Sequence, residues 1–128
     1  METIGNIMKR YAAHYILLSP DKIFKQHYIE LDDNNKIARI APLTNEIEET
    51  SFYNGILFPS TKEVSTQTLI DLEIKGDFML VADTLFNSNI IASEYAEGIF
   101  IYHLDGINLF SPELCTSNGC GDCHIQRL

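Results

Sequence analysis

Short runs that alternate apolar and polar residues, cut by turn-forming residues roughly every ten positions, dominate this chain and restrict it to a mainly antiparallel β architecture. The clearest instance is a hairpin. His27-Tyr28-Ile29-Glu30-Leu31 and Lys36-Ile37-Ala38-Arg39-Ile40 both alternate in polarity, and they flank Asp32-Asp33-Asn34-Asn35, whose side chains tolerate left-handed backbone. Upstream, Lys9 to Leu18 is rich in aromatic and aliphatic residues and stops at Ser19-Pro20-Asp21, a turn combination, so it reads as a strand. Leu43 to Thr50 is acidic and weakly patterned, a loop or short helical turn. Ser51 to Phe58 reads as a buried strand ended by Pro59, with Asn54-Gly55 forming a tight turn or a bulge inside it.

The middle of the chain is harder to place. Thr66 to Ile74 and Phe78 to Val81 read as strands joined by a turn at Gly76-Asp77, and Ala82 to Ala96 as helix or irregular loop. Gly98 to Leu104 alternates as a strand should, Asp105-Gly106 turns it, Ile107 to Phe110 follows as a short strand, and Ile125 to Leu128 as a last one. Strand-helix alternation of the parallel type is missing. The expected fold is therefore all-β, a small β-sandwich or open barrel with room for one short helix in the middle third. Residues 1–128 are read as a single domain, with 1–8 as a frayed leader and 111–128 as a Cys/His-containing C-terminal loop.

Charge narrows the partners. The net charge is −9, from 18 acidic and 9 basic residues, which leaves no electrostatic footprint for a phosphate backbone, so neither nucleic acid nor an anionic membrane is an expected partner. The plain reading of this acidity is a solvated, repulsive surface; a cation-binding surface is the alternative. The longest apolar runs, Tyr15 to Leu18 and Gly55 to Phe58, are strand-sized and far short of the ~20 residues of a membrane helix. The start of the chain lacks the basic, apolar and small-residue succession of a secretory signal, and the expected location is cytoplasmic.

All three cysteines fall within ten residues of one histidine, in Cys115-Thr116-Ser117-Asn118-Gly119-Cys120-Gly121-Asp122-Cys123-His124. Thiolate and imidazole are the preferred ligands of tetrahedral zinc, and the intervening small residues let the backbone wrap an ion, which makes Cys115, Cys120, Cys123 and His124 candidate metal ligands. The spacing is not that of paired Cys-x-x-Cys ribbons, and adjacent Cys123 and His124 would need an awkward backbone to share an ion. Loose cysteines on a C-terminal loop are the plainer reading. Cys120-Gly121-Asp122-Cys123-His124 also matches the five-residue pattern of c-type haem attachment, without an export signal or a later methionine to support it. A redox dithiol would be expected to open a helix, and only five residues follow Cys123. His14 and His103 sit within strands as hydrogen-bonded core or edge residues, and His27 opens a hairpin arm facing solvent. Asp32-Asp33 and Glu48-Glu49 read as solvated pairs, not catalytic carboxylates.

Three stretches carry a family resemblance. Tyr11-Ala12-Ala13-His14-Tyr15-Ile16, the hairpin around Asp32 to Asn35, and Phe52-Tyr53-Asn54-Gly55-Ile56-Leu57-Phe58-Pro59 together resemble the start of metal-dependent amidohydrolases of the cytosine-deaminase and chlorohydrolase kind. Gly98 to Leu109 resembles the strands by which such enzymes return from their catalytic barrel to an accessory β-sandwich. The resemblance implies that sandwich alone. In the family the proline precedes Gly-Phe and a His-x-His metal pair, whereas here Pro59 precedes Ser60-Thr61-Lys62-Glu63, and no histidine follows until His103. Only residues 60–97 separate the matching halves, far too few for a barrel of about 250 residues.

The expected function is that of a non-catalytic sandwich related to this accessory domain, acting as a homo-oligomer or by docking on a protein partner through a face that a barrel would have covered. Tyr11, Tyr15, Phe52, Tyr53, Phe58, Phe100 and Tyr102 supply material for a core and for such a patch. Two alternatives stand beside it: a zinc-binding or metal-sensing protein working through the C-terminal cluster, and a fragment or subunit of a metal-dependent hydrolase.

Overall fold

The computed structural model describes residues 9–43, 50–74, 78–93, 95–106 and 124–128. Among these residues six strands and two helices follow one another as β1 (Lys9–Ser19), β2 (Lys22–Leu31), β3 (Ile37–Pro42), β4 (Thr50–Ser60), α1 (Thr66–Asp71), α2 (Phe78–Asn87), β5 (Phe100–Asp105) and β6 (His124–Arg127). The strands form one open sheet in the order β3-β2-β1-β4-β5-β6. The β1–β4 pair is parallel and the other four pairs are antiparallel. The mainly-β character expected from the turn rhythm is therefore the observed one.

The hairpin at Asp32 has its cause in the loop. The Asp32 carboxylate accepts from the Asn34 N–H at 2.8 Å and from the Lys36 N–H at 3.0 Å, and Asn35 takes the left-handed conformation at φ 62°. The β2–β3 ladder then runs Ile29–Ile40 and Glu30–Arg39, but Leu31 pairs with Ile37, so Ala38 is an extra residue on β3. The strand read as ending at Phe58 in fact continues for two more residues, to Ser60. Pro59 lies inside β4, opposite Ile101, and its carbonyl accepts from Ala92 N–H at 2.9 Å, outside the β-ladder. A residue's N–H and C=O share one edge of a strand, so the missing donor of Pro59 falls on the side where no ladder bond is made.

The two stretches read as strands in the middle third, Thr66 to Ile74 and Phe78 to Val81, hold helices instead, α1 over Thr66–Asp71 and the first turn of α2. α1 opens with a capping box: the Ser65 hydroxyl accepts from Thr68 N–H, and the Thr68 hydroxyl accepts from Ser65 N–H. Both helices stop in the same way. Glu73 and Asn89 turn left-handed at φ 56° and 58°, their N–H groups bond Ile70 and Phe86 carbonyls, and the next N–H groups, of Ile74 and Ile90, reach back to Leu69 and Leu85. This is the Schellman motif, completed in each case by a buried Ile–Leu pair. In α2 the buried residues Val81, Ala82 and Leu85 fall at helical spacing, a period that a four-residue window does not separate from alternation.

Both faces of the sheet are buried. One face carries Leu17, Ile56, Phe58, Tyr102 and Leu104 against Leu69, Val81, Ala82 and Leu85 of the helices. The other holds Ala13, Ile16, Leu18, Ile29, Leu31, Leu57 and Ile101, with no helix among them. Ala13 and Ile16 share that second face although three positions apart, as do Phe24 and Ile29, five apart. Strand alternation predicts even spacing, so both strands slip phase between these residues. The slip coincides with left-handed Gln26 in β2, and with β4 placing two residues, Asn54 and Gly55, opposite the single residue His14 on β1 between the pairs Ala13–Tyr53 and Tyr15–Ile56. A bulge and a phase slip at the same level make a corner in the sheet. Beyond it the halves face each other, because Leu18 and Phe24 come to line one groove with Ile37 and Ile40, which the ladder alone would keep at opposite ends of β2.

Candidate functional site

The polar side chains with the most connected geometry gather at this corner. Gly55 takes φ 107°, and a Cβ there would run into the Leu104 carbonyl oxygen. Its N–H donates to His14 Nδ1 at 3.1 Å, while the carbonyl of Asn54 meets His103 Nε2 on β5. His103 Nδ1 lies 3.0 Å from the amide nitrogen of Gln126 on β6. A backbone N–H only donates, so His14 Nδ1 is the unprotonated acceptor nitrogen. For His103, a proton on Nε2 lets that atom donate to Asn54 and lets Nδ1 accept from Gln126, so one neutral tautomer satisfies all three groups.

Rings fill the space around the imidazoles. Phe52 stands edge-on to His14 at 5.3 Å, and Tyr53 lies 4.9 Å from His103 and 5.9 Å from Tyr11. Burial, and secondarily the neighbouring Tyr53, push the Tyr11 hydroxyl to a higher pKa than usual. The arrangement anchors backbone groups that the bulge removes from the ladder. His14 and His103 are thus the hydrogen-bonded residues that their place in the strands predicts. His27 departs from its expected exposure: it is half-buried, its Nδ1 3.0 Å from the Lys25 carbonyl and its ring 4.8 Å from Phe24.

Of the candidate metal ligands, Cys115, Cys120 and Cys123 lie outside the described residues, as do Ile107 to Phe110, Gly76-Asp77 and Glu48-Glu49. His124 opens β6 opposite Asp105, with its side chain exposed. Among the described residues no group of three or more His, Cys, Asp or Glu side chains converges as a metal site would require. Asp32 is a loop-building carboxylate, held below the ordinary aspartate range by the N–H groups of Lys36 and then Asn34.

The helix layer presents a different kind of surface. Its inner side packs on the sheet, yet Ile70 of α1 is 62% exposed and Met79 and Leu80 of α2 are 62% and 54% exposed. The only charged residues in the two helices are Asp71 and Asp83. These apolar residues escaped the sequence reading because strand alternation pairs Ile70 with the core-facing set; the capping residues Ser65 and Thr68 were the available signal. Of the rings expected to divide between core and patch, Phe58 and Tyr102 are buried, Tyr11, Tyr15, Tyr53 and Phe100 are half-buried, and Phe52 is exposed. A depression of about 400 Å³ also lies beside the start of α1 between Glu63 and Arg127, where the Arg127 guanidinium is stacked on Phe100 at 4.3 Å.

Among the described residues no helix is long and apolar enough to cross a membrane. No protein-family model, curated protein or solved structure matches this chain, so the amidohydrolase resemblance gains no support from comparison.

Proposed function

We propose that this domain is a non-catalytic interaction module that self-associates through the outer surface of its helix layer. The observation that carries the reading is the exposure of Ile70, Met79 and Leu80 on two helices whose inner sides already satisfy the core. Exposed apolar side chains on a layer nearly free of charge favour removal from water at about 25 cal/mol per Å². A two-fold interface sets the same patch against itself and needs no second gene product to complete it. The chain as a whole carries a net charge of −9, to which the two helices contribute only Asp71 and Asp83, so repulsion between copies is centred elsewhere and the helix layer is the site where contact costs least. The corner histidines fit this reading, since both are committed to holding strands together. Descent from an amidohydrolase accessory sandwich is compatible with it, because no His-x-His pair occurs anywhere in the sequence.

Sedimentation equilibrium at micromolar concentration tests the proposal. The wild type is expected to be dimeric, and the double variant M79K/L80K monomeric with an unchanged circular dichroism spectrum and melting profile. A monomeric wild type, or a variant that remains dimeric, overturns it.

A further inference from the structure

Away from the helix layer, the fold-over of the sheet leaves an opening of about 320 Å³ between its two halves. Leu18 and Phe24 line it from the β1–β2 end, Ile37 and Ile40 from β3. Tyr95, 78% exposed, stands at its side from the connection that leads into β5. The charged residues lining it are Lys22 and Arg39, both cationic and both exposed. In a chain with twice as many acidic as basic residues, an apolar opening whose charged lining among the described residues is cationic has a chemistry opposite to the chain's overall charge.

We infer that this groove binds an apolar monocarboxylate, with the hydrocarbon part between Phe24, Ile37 and Ile40 and the carboxylate at Arg39 and Lys22. The volume is at the small end of ligand cavities, roughly 300–1,000 Å³, and suits a medium-length acyl or arylalkyl group. Arg39 is opposite Glu30 in the ladder, but the Glu30 carboxylate is held at 3.0 Å by Arg10, on β1. The guanidinium fork of Arg39 matches a carboxylate bidentately, and Lys22 adds a point charge.

An extended acidic peptide added to the β3 edge is the competing occupant, and the edge argues against it. Ala38 is bulged out of register and Pro42 offers no N–H, two features that blunt an edge strand against further pairing. A small acid needs no backbone ladder and meets neither obstacle. This inference uses other residues than the proposed self-association, and either can fail alone.

The test titrates 15N-labelled protein with decanoate, decanol and decylamine, each below its aggregation concentration. Decanoate is expected to bind one-to-one with chemical-shift changes centred on Phe24, Ile37, Ala38 and Ile40. Its affinity is expected to fall at least about fivefold in R39Q, the range of a lost charge-assisted hydrogen bond, while the spectrum of the free variant shows the native fold. Equal binding of decanol or decylamine, insensitivity to R39Q, or no saturable shifts at millimolar decanoate each overturns the inference.

Discussion

Gly55 shows how much a single residue decides here. Its φ of 107° is one that side chains with a Cβ rarely adopt, and the Leu104 carbonyl already occupies the space a Cβ would take. The same residue's N–H is the donor that holds His14. Gly55→Ala combines backbone strain with a clash against a neighbouring strand's backbone, so neither a rotamer change nor a local shift relieves it. A loss of more than about 3 kcal/mol is expected by urea denaturation, together with loss of the native His14 imidazole resonance position. The sequence already carried the dipeptide Asn54-Gly55 as a turn or a bulge. What it did not carry was which of the two, because that depends on β1 and β5 arriving on either side.

Among the elements, the two helices end alike but with different residues at the left-handed position. Asn89 tolerates that conformation through its short polar side chain, whereas Glu73 does not. Glu73→Gly is expected to raise stability by about 0.5–1 kcal/mol, since Glu73 is exposed and the substitution removes only the left-handed penalty; Asn89→Gly is expected to change it less. Thermal melts of the two variants side by side decide this. The β2–β3 hairpin rests on Asp32, whose carboxyl is held below its ordinary value by the Lys36 and Asn34 N–H groups. Its folded pKa being the lower one, the native state binds fewer protons than the unfolded chain between the two values. The stabilisation is thus present above the unfolded value of about 3.9 and is lost as pH falls through the folded one. Asp32→Ala is expected to melt below the wild type at neutral pH, and the difference to shrink on acidification through that range. Asp32→Asn, which keeps the accepting oxygen, is expected to retain most of the neutral-pH stability.

The molecule as a whole is two cores sharing one sheet. Leu57 and Phe58 are both fully buried and adjacent in sequence, yet Leu57 belongs to the folded-over face and Phe58 to the helix face. Because every long strand contributes to both, neither core can be lost while the other stays. Leu57→Ala is expected to cost about 2–5 kcal/mol and Phe58→Ala about 3–5 kcal/mol. Each is expected to unfold in a single urea transition with coincident fluorescence and circular dichroism curves and an m-value like the wild type's. Separate transitions for the two faces would show that the sheet does not couple them.

The sequence by itself determined what depends on neighbours along the chain. The β character, the Asp32 hairpin, the turn at Pro20-Asp21 and the strand around Phe100 to Leu104 follow from alternation and turn chemistry within a few residues. Tertiary structure decided the rest. Thr66 to Ile74 and Phe78 to Val81 are apolar enough for strand or helix, and burial of Leu69, Val81 and Leu85 against a sheet face that needed covering selects the helix. Pro59 stays in its strand because its polar edge meets Ala92 instead of a ladder partner. The phase slip at His14 and Gln26, and with it the groove between Phe24 and Ile37, exists only once three strands bend together around Gly55. Pairing of residues tens of positions apart is a non-local choice, and no window along the chain contains the partners that make it.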